Sequence, residues 1–436
     1  MGGGQSRPAR PRKVCIIGGG AAGMACAWSL SRHPDKFDVH LWESLPQVGG
    51  VASTCEVAPG VEVNDQVQGG APSYRNNLLF FKEFGFEPHP VELRVAFGTG
   101  DSAWTNHSDS KLVRRLQPEI ERFGRVLKWV HRLEPIFIFV PINKVLRWWG
   151  FSSAFATEMV FPLTALFFGT GNQTPHVSAA VIARVFLDPQ LRLFQYSPKR
   201  LLDDVPTMFA FPKLGEVFGK MAKSINATVR TDARVERVLR RQAGKGGRQH
   251  GAVVVVDSQG HSEEFDEVVF CCGTEEALRM LDKPSWLERR LLANVEYFND
   301  LIVTHQDEEY MRREKIEMSF RLNSYQPHLA GKAPSTQWQG TIYQSIFLDD
   351  QQSQKWTVGE IDKSKVRFLQ GKQHTWYAGS YTLFNTHEIA VMSGLAVAER
   401  LGAPYPFPED QLAREQFATY LKLAHGLFAR RKQHAT

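Results

Sequence analysis

The chain is poor in the features that mark a metalloenzyme, a disulfide-stapled scaffold or a membrane span. It holds five cysteines (Cys15, Cys26, Cys55, Cys271 and Cys272) and no C-x-x-C. An odd number without repeated spacing argues against a disulfide framework and fits a reducing compartment. No zinc-type Cys/His spacing, H-E-x-x-H or G-x-S-x-G occurs, so neither a metal site nor a serine-hydrolase nucleophile is expected. The first residues lack the apolar core of a secretory signal. The longest charge-free run, Met159 to Ala183, is interrupted by Pro162, Gly169, Gly171, Asn172, Gln173, Thr174, Pro175 and His176, which is incompatible with a spanning helix. A basic face is missing too. Of the formal charge of +6, Arg7, Arg10, Arg12 and Lys13 supply four and Arg430, Arg431 and Lys432 three, which leaves about −1 for the body. Nucleic acid is therefore not an expected partner.

What is present is a dinucleotide-binding unit near the start of 436 residues, a length that suits one large or two interleaved domains. The apolar strand ending Val14-Cys15-Ile16-Ile17 runs into Gly18-x-Gly20-x-x-Gly23. A helix from Ala21 to about Ser31 follows, and a second strand, Phe37 to Trp42, ends on Glu43. Gly18 serves the tight turn, Gly20 the approach of a pyrophosphate, and Gly23 the close packing of helix on strand. The pyrophosphate is expected on the helix N-terminus, where free N–H groups and the dipole favour an anion. Glu43 stands where a carboxylate accepts bonds from both ribose hydroxyls, favouring a 2′-OH over a 2′-phosphate. Taken alone, the glycines would also suit a structural turn. The strand, the helix and the acid at the right distance decide for a nucleotide.

A second glycine pair, Gly49-Gly50, followed by Val51, is not part of a generic NAD site, and its amides suit another anion nest. Val57, Val61 and Val63 suggest a hairpin, and Leu78, Leu79, Phe81 and Phe84 a helix. Residues 136–196 are rich in aromatics: a helical core, an apolar substrate channel and a membrane-docking face all fit them. Strand patterns return at Val229, Val235-x-x-Val238, Val253 to Val256 and Glu267 to Thr274. Near the C-terminus a strand, His374 to Tyr381, enters a loop where Asn385 or Thr386 can cap an amphipathic helix running to Leu401-Gly402. A second helix N-terminus aimed at a cofactor suits a flavin, whose N1–C2=O locus turns anionic on reduction.

Together these residues resemble the FAD-dependent amine oxidase and phytoene desaturase-like flavoproteins. The likeness rests on Gly18/Gly20/Gly23, Glu43, Gly49-Gly50, the Val-Val-Phe-Cys-Cys-Gly-Thr strand, and Ala378-Gly379-Ser380-Tyr381…His387-Glu388…Ser393-Gly394, in family order along the whole chain. Tyr297-Phe298-Asn299 and Val303 to Asp307 bring it nearest to the polyunsaturated fatty acid double-bond isomerase branch. The resemblance implies an α/β fold, a Rossmann-like FAD-binding domain of the GR2-type three-layer kind with an interleaved α+β substrate domain. It divides the chain into a basic leader (1–12), FAD-binding segments (13–75, 206–284 and 367–429), substrate segments (76–205 helical, 285–366 sheet) and a basic tail (430–436). It also implies non-covalent FAD held by Gly18, Gly20, Ala22, Gly23, Glu43, Gly49, Gly50, Val51, Val235, Gly379, Ser380, His387, Glu388 and Ile389. Tyr377, Tyr381 and His387 lie by motif beside the flavin as catalytic candidates, with packing and capping as their alternative roles.

Some positions depart from the pattern. Val51 stands where Arg or His is common, the His-Glu stretch lacks flanking glycines, and Thr386 occupies the place of an amine oxidase's aromatic ring. The implied activity is hydride transfer to flavin N5 from a long apolar substrate, an unsaturated fatty acid or lipid. Arg147 with Trp148 is the candidate receiver of its carboxylate, the alternative being a surface position on a half-buried helix. A peroxide-producing amine or small-metabolite oxidase and a non-catalytic FAD-binding scaffold at membranes are the competing readings. Met1-Gly2 to Ser6 fits the myristoylation pattern and precedes a basic stretch, so Gly2 is the candidate acylation site of an otherwise cytoplasmic, peripherally membrane-bound protein; an ordinary disordered leader is the alternative.

Overall fold

The structure is a computed structural model. It describes residues 10–426 except 59–60, 65, 93–94, 99, 169–170, 188–193, 204–206, 242–251, 296–300, 306–308, 310–319, 322–342, 348–367 and 384–385. Gly2, most of the basic leader, the basic tail, Tyr297-Phe298-Asn299, Asn385 and most of the 285–366 segment lie outside the described residues.

Five parallel strands form the central sheet: β1 (Arg12–Ile17), β2 (Phe37–Trp42), β3 (Thr228–Arg230), β4 (Glu267–Phe270) and β5 (Thr375–Tyr377), in the order β3-β2-β1-β4-β5. The chain leaves β1 toward β2 on one side and returns on the other with β4, so the topological switch lies at the C-terminal end of β1. Ligands of open parallel sheets bind in the crevice at such a point. Both faces of β1 are buried, as parallel strands require. Alternation sorts its side chains: Val14 and Ile16 enter the helical layer, while Cys15 and Ile17 enter the layer opposite.

The helical layer holds α1 (Ala21–Ser31), α2 (Arg75–Glu83) and α4 (His387–Leu401). All eleven residues of α1 are buried, which explains its run of small and apolar side chains. The opposite layer is an antiparallel sheet of Val235–Arg240, Val253–Asp257 and Ser262–Phe265. The fold is thus the three-layer α/β arrangement expected. Thr54–Ala58 and Val61–Asn64 form the hairpin suggested by the valines.

A separate helical core is built on α3 (Lys111–Arg132). Ser110 caps it by accepting from the Val113 amide at 3.2 Å, and Leu112, Leu116, Ile120, Phe123, Leu127 and Val130 form its buried stripe. Phe137, Phe155, Phe186 and Phe194 fill the rest of this packed core. No helix among the described residues is long and apolar enough to cross a membrane. One boundary differs from the sequence division. Trp286–Leu292, placed by sequence in the substrate segment, is a helix whose Leu291 and Leu292 join the core beneath the central sheet.

Candidate cofactor site

The turn after β1 is fixed by its neighbours on both sides. The Gly18 amide donates to the Trp42 carbonyl at 2.9 Å, and the Cys271 amide to the Ile17 carbonyl at 2.8 Å. Gly18 has φ +104°, and a Cβ there would lie 2.8 Å from the Cys271 carbonyl oxygen, so only glycine fits. A Cβ on Gly23 would lie 1.9 Å from the Gly18 carbonyl oxygen: α1 touches the turn backbone to backbone. Gly20, at the helix cap, is different. Its φ is −70°, no side chain caps the helix there, and an added Cβ would meet nothing nearer than 3.9 Å. The second glycine pair stands against this open corner, where the Gly49 amide donates to the Gly19 carbonyl at 2.9 Å. Val51, just beyond, is exposed.

Glu43 is buried at the end of β2. Its Oε2 accepts from the Gly19 amide at 2.6 Å and its Oε1 from the Leu45 amide at 2.9 Å and Ser44 Oγ at 3.2 Å. A carboxylate has about four lone-pair sites and these bonds take three, so acceptor capacity remains for one ribose hydroxyl. Val235 is buried in the first strand of the antiparallel sheet, two residues beyond Ala233, whose amide donates to the Glu43 carbonyl at 2.8 Å.

The second helix arrives at the same edge. Thr386 caps α4, its Oγ1 accepting from the Ile389 amide at 3.3 Å, as its position in sequence suggests. α4 crosses α1 at backbone distance, since a Cβ on Gly394 would lie 2.0 Å from the Ala22 carbonyl oxygen. Ser393 Oγ accepts from the Gly379 amide at 2.8 Å, which ties the loop after β5, including Ser380, to the same helix. The architecture therefore presents the N-terminus of α1, two glycine turns and one buried acid at one end of a parallel sheet, with α4 crossing α1 and tied to the loop after β5. Among the described residues, no group of three or more His, Cys, Asp and Glu side chains converges in the manner of a metal site.

Several candidate residues are placed otherwise than expected. Tyr377 is fully buried on the antiparallel-sheet side, and its hydroxyl donates to Glu288 Oε1 at 2.7 Å. Glu288 is in turn paired with Arg240 at 2.5 Å and bonded to the Ser285 amide. Burial pushes the Glu288 carboxyl up, but these bonds outweigh it and bring the pKa down to about 2. Tyr377 is thus part of a buried structural network and presents no free edge to a ligand. Glu388 is occupied as well. Its Oε1 accepts from the Asn76 amide and Asn76 Nδ2, both at 2.9 Å, and its Oε2 from the Asn77 amide at 2.7 Å. The side chain caps α2 rather than contacting a cofactor, and Ile389 has given its amide to Thr386.

His387 Nδ1 lies 2.9 Å from Asn77 Oδ1, and the ring packs among Phe81, Phe211 and Phe218. Burial lowers its pKa to about 4, so the ring is neutral at pH 7. Tyr381 is half-buried beside Gly379. Arg147 and Trp148 are exposed on the short helix Ile142–Trp148, which packs in the helical core; no buried carboxylate receptor is built around them. Sequence reasoning missed Asn76 and Asn77. Consecutive asparagines at a helix start are a capping signal, but nothing local names Glu388 as their partner.

Residues 16–84 match the family model of the NAD(P)-binding Rossmann-like domain. No curated protein matches the chain by sequence. Among solved structures, the CLA-producing fatty acid isomerase from P. acnes is similar with a TM-score of 0.61 at 14% identity, over 90% of this chain and 99% of that one. Putrescine oxidase bound to putrescine is similar with a TM-score of 0.57 at 14% identity, over 90% and 99%. A redesigned variant of that oxidase gives 0.59 at 13%, over 90% and 98%. The chain has the Rossmann-type α/β fold of these structures.

Proposed function

We propose that this chain is an FAD-dependent oxidoreductase or isomerase acting on a long apolar substrate, an unsaturated fatty acid or lipid. The observation that carries the reading is that a second helix, α4, entered from the loop after β5, crosses the first turn of α1 at the switch point, its Gly394 against the Ala22 carbonyl. A nicotinamide site needs one helix there, whereas a flavin dinucleotide has anionic positions for two. The residues fit FAD bound without a covalent link. Gly18, Gly20 and the first turn of α1 would hold its pyrophosphate with Gly49-Gly50 alongside, Glu43 its ribose, and the loop Gly379-Ser380 with the start of α4 the far end. When bound, FAD supplies an acceptor for a hydride. The chain itself orients the dinucleotide, keeps His387 neutral and fills the surroundings with apolar side chains that exclude water.

The lipid substrate is supported by the likeness to the fatty acid isomerase, and peripheral membrane contact belongs to the same reading. The competing amine oxidase is favoured by the likeness to putrescine oxidase and disfavoured by Thr386, which offers no ring to flank an amine. A spectrum of the purified chain, recorded anaerobically before and after a polyunsaturated fatty acid, tests the proposal. Flavin absorbance with new conjugated-diene absorbance and no net bleaching is expected. Absence of flavin overturns the reading. Flavin that ignores the lipid but consumes oxygen stoichiometrically with an amine transfers it to the oxidase.

A further inference from the structure

The helical core carries a surface that its packing does not explain. Trp129, Leu133, Ile136, Ile138, Phe139 and Trp148 are all exposed, and they lie within twenty residues on the end of α3 and the short helices that follow it. The values are high for such side chains: Phe139 is 74% exposed, Trp148 63%, Ile136 62% and Trp129 54%. Trp129 stands in the last turn of α3, Leu133 at its C-terminal cap and Ile136 on the four-residue helix that follows, Glu134–Phe137. Phe137 and Trp149, whose rings stand 5.9 Å apart, tie the two short helices together beneath this surface. Trp129 lies off the buried stripe of α3, so its exposure follows from the helical period.

The charges around this surface are of one sign. Arg125, Lys128, Arg132, Lys144 and Arg147 are exposed, and none makes an ion pair among the described residues. Between Arg122 and Gly150 the one acid is Glu134, and it is engaged by Arg184 at 2.7 Å. The Arg132 guanidinium lies over the Trp129 ring, 5.6 Å from its centroid, so its stem covers apolar surface while its charge stays in water.

We infer that this corner of the helical core, Trp129 to Trp148, docks the protein on a membrane surface bearing anionic lipids. Tryptophan and phenylalanine beside unpaired lysine and arginine suit the boundary between acyl chains and negative headgroups. A protein partner fits less well, because protein interfaces are depleted in lysine and depend on charges of both signs for register. The inference concerns a surface distinct from the nucleotide cradle and does not depend on the flavin.

The test uses the full, unacylated chain and vesicles of phosphatidylcholine with or without phosphatidylserine. Co-sedimentation with the anionic vesicles is expected, falling about tenfold or more in apparent affinity without phosphatidylserine. A Trp129→Ser/Ile136→Ser/Phe139→Ser variant is expected to lose at least about tenfold as well, while keeping its far-ultraviolet dichroism and its flavin. Quenching by brominated acyl chains, read as the difference between the chain and a Trp129→Phe variant, places that ring among the lipids independently of the basic leader. If the serine variant fails to fold, a Lys128→Glu/Lys144→Glu variant supplies the same comparison through charge alone. Unchanged vesicle binding in the variants, or no quenching at Trp129, overturns the inference. Self-association of the chain without lipid that the serine variant abolishes also overturns it, and assigns the surface to a second copy.

Discussion

Two helices in the same layer begin without a cap of their own, and the protein treats them differently. Neither Gly20 before α1 nor Tyr74 before α2 makes a side-chain capping bond. At α2 the chain supplies an acceptor: the carboxyl of Glu388, carried in by α4, accepts from the Asn76 and Asn77 amides. At α1 the amides of Ala21 and Ala22 meet no acceptor among the described residues, and the corner beside Gly20 is open. Orphan amides at a buried helix start need a partner. Where the fold wants rigidity it provides an internal carboxyl, and where it is left open an external phosphate fits. The contrast makes α2 an internal control for α1.

The largest effect is expected where α1 is held backbone to backbone, by the glycine turn on one side and by α4 on the other. Gly23→Ala drives a methyl onto the Gly18 carbonyl, and Gly394→Ala drives one onto the Ala22 carbonyl. Neither obstacle is a flexible side chain, so each substitution should cost about 3 kcal/mol or more. Urea unfolding of each variant measures this, and flavin should be lost together with stability.

A comparable effect is expected in acid. His387 is buried neutral, its pKa depressed by burial from 6.5 to about 4. A base whose folded pKa lies below its unfolded value contributes stability that is present above 6.5 and is lost as pH falls toward 4. That shift corresponds to about 3 kcal/mol. The difference in urea stability between the chain and a His387→Gln variant should shrink by that order between pH 7 and pH 4. A difference that does not vary with pH would show that the ring is already solvated.

The internal cap comes next. Glu388→Ala leaves the Asn76 and Asn77 amides without their acceptor, at a cost of about 2 kcal/mol. Burial raises the Glu388 carboxyl to about 7, opposed by the amides that bond it. The sign is opposite to that of His387: this group's contribution is fully present below pH 4.5 and diminishes as pH rises to 7, with no further change above. Glu388→Gln, which cannot titrate, should abolish that slope. A slope unchanged in the glutamine variant would assign the titration elsewhere.

How much of this was legible in the sequence depends on distance along the chain. β1, α1, β2 and the Thr386 cap were readable because their signals are local: an apolar run, a glycine turn, an acid at fixed spacing, a hydroxyl before a helix. The bond of Glu388 to Asn76 joins residues 312 positions apart, and that of Tyr377 to Glu288 joins residues 89 apart. No periodicity reports such pairs. Motif likeness therefore put Tyr377 and His387 beside the flavin as chemistry and Glu388 among the residues that hold it, whereas packing gives their side chains structural partners.

The smallest effect on stability and the most telling one is expected at Gly20. Its backbone, φ −70° and ψ −175°, is open to any residue, and a Cβ there meets no atom closer than 3.9 Å. Gly20→Ala should therefore leave urea stability within about 0.5 kcal/mol, unlike its neighbour Gly23→Ala. A methyl at that point does stand where a pyrophosphate must approach the helix start, so flavin retention should fall by about tenfold or more. Unfolding and flavin content measured on one preparation separate the two quantities. If Gly20→Ala retains its flavin, the anion does not sit on α1, and the openness of that helix start has another reason. If flavin is lost while the fold holds, three residues divide the glycine turn between two roles: Gly18 and Gly23 make the fold, and Gly20 leaves room for what the fold binds.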